Sequence, residues 1–454
     1  MRPLHTFALL LSLVFISGIP TESGTSLPNP ATSINGNGTL STYSTGANIN
    51  TAGPFFQSIG TNGRTCASCH VPSSAWGITP SEVQARFNST QGTDPIFRTN
   101  DGSVCPTSDV STLDARRSAY SLLLNKGLIR VSMSVPANAD FQIIAIDDPY
   151  HCPQTTATDP ALYRRPLPST NLTFLTTVMW DGRESGNPAN TLEQNLAQQA
   201  IDATMGHAQG AVPTPAQIQA IVDFESHIYT AQAISYRAGD LSAGGGNGGA
   251  KNLSQQEFYV GINDAIVGDS RTGQPFNPNV FTQYTQWLDS PNPNKAQIAR
   301  GEQLFNTFPI LITGVKGLND LPNMSAFTGS CTTCHDSPNV GNHSVSLAID
   351  IGITDYPAKG NLDISGLPVY TVKNINTGAT VQVTDLGRAM VTGKFADVGK
   401  TKGPVLRGLE SRAPYFHNGG AKTLADAVEF YNQRFNMNLS DSDKQALVAF
   451  LRTL

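Results

Sequence analysis

The pentapeptide Cys66-Ala67-Ser68-Cys69-His70 returns far along the chain as Cys331-Thr332-Thr333-Cys334-His335. Two thiols two residues apart can add across both vinyl groups of one porphyrin, and a histidine in the next position is held against the iron as proximal ligand. The pattern reads as two covalent attachment sites for c-type haem, with Cys66, Cys69 and His70 on one and Cys331, Cys334 and His335 on the other. Zinc sites and redox dithiols also use Cys-x-x-Cys. A zinc ribbon, however, wants its two pairs roughly 15–20 residues apart, and a dithiol has no need of the adjoining histidine. A chain that wraps two porphyrins replaces much of an ordinary core with them. This predicts a mainly α fold of two cytochrome c-like domains, with long loops and minor β-hairpins.

The start of the chain suits haem attachment outside the cytoplasm. Met1-Arg2-Pro3 leads into the apolar run Phe7 to Ile16 and then into small and polar residues up to Ser26, the layout of a secretory signal. The run is shorter than the about 20 residues of a membrane span, and no second long apolar stretch follows. An exported, periplasmic protein without stable membrane insertion is expected. Four of the six cysteines go to haem. In an oxidising compartment the remaining pair, Cys105 and Cys152, is expected to form a disulfide; two separate buried thiols are the alternative, since bridging needs close Cα atoms. A net charge of −5 argues against nucleic acid as a partner. The oligomeric state is left open.

Composition divides the 454 residues into a signal at 1–26, an irregular Ser/Thr/Asn/Gly-rich arm at 27–52 and a first haem domain at 53–237. A Gly-rich linker at 238–254 and a second haem domain at 255–454 follow. Each half closes on a similar amphipathic stretch, Gln219-Ala220-Ile221-Val222-Asp223-Phe224 and Gln445-Ala446-Leu447-Val448-Ala449-Phe450. Thr214 with Pro215 predicts the start of the first closing helix, and Ser440 with Asp443 that of the second. Ala296 to Thr307 reads as a helix leading into the second motif, and Leu128 to Val135 and Val369 to Val383 as hairpins.

Three further stretches are Met179-Trp180-Asp181-Gly182-Arg183-Glu184, Pro404-Val405-Leu406-Arg407 through Ala413-Pro414-Tyr415-Phe416-His417-Asn418-Gly419-Gly420, and Thr423 to Asn432. With both haem motifs in order, they resemble the bacterial di-haem cytochrome c peroxidase family, which includes MauG, across most of residues 54 to 454. The resemblance implies that Trp180 lies between the two haems and relays electrons; the plainer reading is a buried core indole. It places Arg407 and His417 in the cofactor surroundings. It puts Tyr431 where the C-terminal haem receives its second axial ligand, methionine in the peroxidases and tyrosine in MauG. Leu424, Ala427, Val428 and Tyr431 share one helical face, which suits a core tyrosine equally, and Met390 or Met437 are alternative ligands.

The N-terminal haem is the family's peroxide-reactive one, served by the glutamate of a Glu-Met-Gly sequence. Here Thr204 precedes Met205-Gly206, and threonine cannot take up and return the proton that cleavage of the O–O bond requires. His207 is the nearest replacement, because imidazole titrates near neutrality; it is otherwise an iron ligand or a structural residue. Gln194, Gln198 and Gln199 are candidates for a neutral hydrogen bond to bound oxygen. The family's interdomain calcium is disfavoured, since Arg117 stands where an oxygen ligand belongs and Arg412 where a neutral neighbour does; Arg117 and Arg412 instead suit haem propionates. His151, His227 and His343 read as structural.

The function expected is peroxide-dependent oxidation-reduction. Electrons from a donor protein such as a small cytochrome or cupredoxin pass through the C-terminal haem and Trp180 to the N-terminal haem, which meets hydrogen peroxide or another small oxidant. The rivals are a non-enzymatic di-haem electron carrier and an oxygen-using di-haem oxygenase.

Overall fold

The computed structural model describes residues 26–46 and 48–454; the expected signal, apart from Ser26, lies outside them. The expectation of a mainly α fold is corrected: 29% of the chain is helical and 17% is strand, the strands lying in several small sheets. The cause is pairing between segments that look featureless alone. Ala31–Asn35 and Gly38–Ser44 form a hairpin around the two-residue turn Gly36-Asn37, and Gly38–Ser44 pairs in turn with Ile228–Ser235. Residues 27–52, expected to be an irregular arm, are thus largely strand. Their Ser and Thr side chains carry no apolar alternation because some of their hydroxyls are satisfied inside: Thr42 Oγ1 meets Thr230 Oγ1 at 2.9 Å and accepts the Trp76 indole N–H at 3.0 Å.

The sequence Val369 to Val383 forms its hairpin, Val369–Asn374 with Thr380–Val383. The central strand also pairs along its length with Phe141–Asp147 from the other half of the chain. Leu128 to Val135 yields only the strand Ile129–Ser132, whose partner is the distant Ala161–Arg164. Nor is 238–254 an unstructured linker. Leu241 is fully buried with Trp287, Ile298 and Phe450, and a Cβ on Gly246 would come within 2.4 Å of the Trp287 ring. The glycine there makes room for an indole.

The helices follow their caps. Thr214 Oγ1 accepts from the Gln217 N–H at 3.3 Å to open Pro215–His227, Thr423 from Asp426 at 3.1 Å to open Leu424–Arg434, and Ser440 from Asp443 at 3.1 Å to open Asp441–Leu451. Pro293–Thr307, capped by Asn292, crosses Asp441–Leu451 so closely that a Cβ on Gly301 would meet the Ala446 carbonyl oxygen at 2.0 Å. Phe281, Phe305 and Phe450 fill the crossing, with Phe281 5.3 Å from each of the other two ring centroids. Truncating such a ring costs about 3–5 kcal/mol. Phe305 also sits 5.7 Å from the ring of His335, so this core backs the second motif.

Candidate functional site: two histidine clamps and a cationic cleft

Both motifs fold in the same way. Cys66–Ser68 and Cys331–Thr333 are single tight turns, each opened by a reciprocal cap, Thr65 with Ser68 and Ser330 with Thr333. The turn returns the histidine N–H to the first cysteine carbonyl, at 3.0 Å for His70 and 3.2 Å for His335. Each ring is then clamped: His70 Nδ1 lies 2.9 Å from the Trp76 carbonyl oxygen, and His335 Nδ1 2.6 Å from that of Gly341. A carbonyl can only accept, so Nδ1 carries the proton and Nε2 keeps its lone pair, as a metal-ligating imidazole requires. Burial holds both rings below the usual histidine range, His70 at about 4. Ala75 and Trp76 take left-handed backbone, φ 51 and 58. The Trp76 indole is wedged among Phe55, Phe56 and Phe224.

Cys66, Cys69 and His70 open on a cleft of about 1620 Å³, mouth included, walled on one side by Leu196, Ala200 and Ala203 of the helix Leu192–Gly206. Seven cationic side chains line it, and four of them, Arg165, Lys402, Arg407 and Arg412, have no carboxylate partner among the described residues. Their hydrogen bonds go to backbone carbonyls, of Lys126 and Ile78, Thr177, Asn339 and Val405 respectively, not to carboxylates. The Nε atoms of Arg407 and Arg412 have no partner at all. Burial pushes Lys402 down to about 7, Arg165 to about 9 and the other two to about 10. Buried cations without counter-charge are costly; here they surround space suited to an anionic group. Arg164 contrasts with them, being clasped by Asp181 and Asp385. It holds both carboxyls below their usual range although burial opposes this.

Trp180 adjoins Asp181 at the rim of the same cleft. Its indole N–H donates to the Arg165 carbonyl at 2.8 Å, its ring meets His417 edge-on at 6.1 Å, and its carbonyl accepts from Lys402 N at 2.9 Å. His417 is buried with neither ring nitrogen hydrogen-bonded.

His207 ends the helix Leu192–Gly206 and lines the cleft with His70. Its Nδ1 is 2.5 Å from Asp101 Oδ2, and Arg64 binds the other oxygen of Asp101. The sequence reading missed Asp101 and Arg64, which are scattered along the chain and carry no motif. Thr204 also lines the cleft, but its hydroxyl hydrogen is spent on the Ala200 carbonyl at 2.8 Å. Gln198 is corrected as a site residue: it is exposed and bound to Asp202 at 2.9 Å, whereas Gln199, one position on, lines the cleft and Gln194 serves the helix cap. Glu225, also missed, is buried against the cleft with Oε2 unpartnered, and burial pushes it up to about 7.

At the second motif, Tyr431 packs among Phe416, Phe430 and Phe435 beside Cys331 and Cys334. Burial and then these two cysteines raise its hydroxyl pKa. Among the described residues that hydroxyl has no hydrogen-bond partner, whereas those of Tyr163, Tyr284, Tyr370 and Tyr415 each donate to a carbonyl. Met437 shares this cluster, but Met390 lies in another, with Phe141 and Tyr370. His343 is 5% exposed, and burial first and the nearby His335 second disfavour its charge.

Cys105 and Cys152 are bridged, their Cα atoms 5.5 Å apart. Of the two arginines assigned to propionates, Arg412 reaches the cleft, but Arg117 is exposed and lies over the Phe87 ring instead. His151 is exposed, and His227 caps its own helix through the Asp223 carbonyl at 2.6 Å. A thiol pair, a clamped histidine with free Nε2 and unpaired cations around an apolar-walled cleft together fit a haem with its carboxylates.

Comparison with known proteins bears on the same chemistry. A cytochrome-c peroxidase, IdrP2, of Denitromonas iodatirespirans is 34% identical over 136 residues, 28% of this chain and 36% of that protein. The cytochrome c551 peroxidase of Nitrosomonas europaea is 33% identical over 138 residues, 30% and 34% of the two chains. The chain thus spans about a third of the length of the curated relatives it matches. No protein-family profile matches it. A solved structure described as a MauG-like protein associated with microbial copper homeostasis overlays 88% of this chain, and 87% of its own, with a TM-score of 0.39 and 14% identity. Over that third of the curated relatives' length, and carrying two Cys-x-x-Cys-His clamps, the chain is similar to bacterial cytochrome c peroxidases.

Proposed function

We propose that the chain is an exported, periplasmic di-haem c-type cytochrome that reduces peroxide. Each Cys-x-x-Cys-His carries one haem through two thioethers, served by its own stretch of chain, 53–237 and 255–454. Electrons from a small cytochrome or cupredoxin enter at the Cys331/Cys334 site, pass Trp180, and are spent at the Cys66/Cys69 site. Hydrogen peroxide, two electrons and two protons give two molecules of water. A haem bound at these sites supplies the redox-active iron. The observation that carries the reading is that Cys66, Cys69 and His70 share one cleft with Trp180 and four unpaired cations.

The chain's own residues divide the remaining work. The Trp76 and Gly341 carbonyls fix the histidine tautomers, and Arg165, Lys402, Arg407 and Arg412 neutralise carboxylates. The Arg165 carbonyl and His417 hold the Trp180 indole in one orientation. Tyr431 would hold the iron of the second haem through its hydroxyl oxygen. His207 takes the proton from one peroxide oxygen and returns it to the departing one as the O–O bond breaks, the role for which Thr204 is unfit.

The test is the mass of the mature protein after acid-acetone extraction, followed by titration of the reduced protein with peroxide. Two retained haems and reoxidation at two electrons per peroxide are expected; a haem lost to the solvent, or a reduced protein inert to peroxide, contradicts the proposal. An electron carrier is the second reading, favoured by the unengaged Nε2 of His207, which suits iron ligation as well as proton transfer.

A further inference from the structure

Asp101 is 5% exposed and lies between two partners that fix it on both sides. Its Oδ1 takes the Arg64 guanidinium and its Oδ2 lies 2.5 Å from His207 Nδ1. Arg64 is itself buried and immobilised. Its Nε donates to the Pro95 carbonyl at 3.0 Å, Nη2 to Ile96 at 2.6 Å and Nη1 to His207 at 3.2 Å. Asn62 donates to that same His207 carbonyl at 2.8 Å. Arg64 stands two residues before Cys66, so this arrangement is tied to the first haem motif. Nothing in a helix end requires a buried Arg-Asp pair joined to its last histidine, and the cost of burying that pair points to a purpose at the cleft that His207 lines.

We propose that Asp101, held by Arg64, is a positioning residue that fixes the tautomer and orientation of His207 so that Nε2 acts as proton acceptor and then donor in the cleft. The inference rests on the acid-base role given to His207 above. Burial opposes the charge of Asp101, but the hydrogen bond from His207 and the Arg64 charge outweigh it and hold the carboxyl below its usual range. An ionised carboxylate has no hydrogen to give, so Nδ1 must donate to it and Nε2 is left with a lone pair. The same logic governs a serine-protease histidine oriented by its aspartate. The side chain of His207 remains 39% exposed, which lets it exchange protons with solvent. In the reaction, Nε2 removes one peroxide proton and delivers it to the leaving oxygen, which departs as water. The other oxygen becomes water with two solvent protons and the two donor electrons.

The experiment uses the oxidised di-haem protein and potassium cyanide at neutral pH, followed by stopped-flow absorbance. Hydrogen cyanide must give up its proton to bind iron as the anion, so its association rate reads the base without any turnover. Asp101→Asn offers an amide N–H to Nδ1 and leaves the proton on Nε2. It is expected to slow cyanide association by about 10²-fold or more, as is His207→Ala, while Asp101→Glu keeps most of the rate. Slow binding by His207→Ala alone, with Asp101→Asn at the wild-type rate, overturns the positioning role and leaves the function of His207 standing. Wild-type rates in both overturn the acid-base reading itself, as does conversion of the first haem from low to high spin by His207→Ala, which marks an iron ligand. Should Asp101→Asn not yield folded protein, Arg64→Lys serves. It is expected to slow association less than His207→Ala, and a wild-type rate overturns the proposal.

Discussion

The two Cys-x-x-Cys-His turns are nearly superimposable in design and opposite in surroundings. Both clamp their histidine by a carbonyl six residues further on. The first then faces a cleft containing an Asp-anchored histidine, an unpaired buried carboxyl and a set of unpaired cations. The second is backed by Phe305 and Phe450 and met by a tyrosine with a free hydroxyl among three aromatic rings. On the proposed reading the clamp supplies a haem ligand in either case, and what differs is whether the rest of the site is left for a small molecule or filled with side chains. The proposed division of labour then follows from the surroundings, not from the motif.

The harshest way to break this comparison is to remove one site at a time. Cys66→Ser with Cys69→Ser is expected to abolish peroxide reduction and leave one haem by mass. The same change at Cys331 and Cys334 is expected to leave a haem that still binds cyanide but no longer turns over with an external donor. Retention of peroxide reduction without the first pair contradicts the assignment of roles. Next in size, His207→Ala should slow the peroxide reaction by about 10²–10⁴-fold without altering the spectrum of the His335 haem. Thr204→Glu in that background should restore part of the loss. Trp180→Phe keeps most of the ring volume but has no accessible radical state, so both spectra should survive while electron exchange between the haems, followed by flash photolysis, slows by an order of magnitude or more; an unchanged rate returns Trp180 to a packing role. Tyr431→Phe should change only the second haem, raising its midpoint potential as an oxygen ligand is lost.

The smallest effect concerns Glu225. Burial pushes its carboxyl up to about 7, so the folded state holds that proton more tightly than the unfolded chain. Stability contributed by the bound proton is present below the usual carboxylate range and is lost as pH rises through 7. Glu225→Gln should remove the dependence, gaining on the order of 3 kcal/mol relative to wild type at pH 8 and almost nothing at pH 4, measured as denaturant midpoints. Equal shifts at both values would mean that the carboxyl is ionised throughout.

What the sequence made legible was local chemistry: the haem turns, the helix caps at Thr214 and Ser440, and the face of Leu424–Arg434 that carries Tyr431. What it hid depended on distant partners. Gly38–Ser44 looks like polar loop until Thr42 meets Thr230, although Asn35-Gly36-Asn37-Gly38 did carry a hairpin signal. The Gly-rich stretch at 238–254 suggested mobility when its glycines were making room for Trp287. Of the candidates Gln194, Gln198 and Gln199 only the last lines the cleft, because a step of one residue, about a quarter turn of helix, decides which amide faces it. Asp101 and Arg64 could be found only from the fold, which brings three separate parts of the chain to the end of one helix.

The measurement that bears most directly on an open first site beside a closed second one is the electron paramagnetic resonance spectrum of the fully oxidised protein. One high-spin ferric signal, lost on adding cyanide, together with one low-spin signal that Tyr431→Phe alone alters, is the predicted result. Two low-spin signals, with His207→Ala turning one of them high-spin, would show that His207 closes the first site and that the chain carries electrons without reducing peroxide.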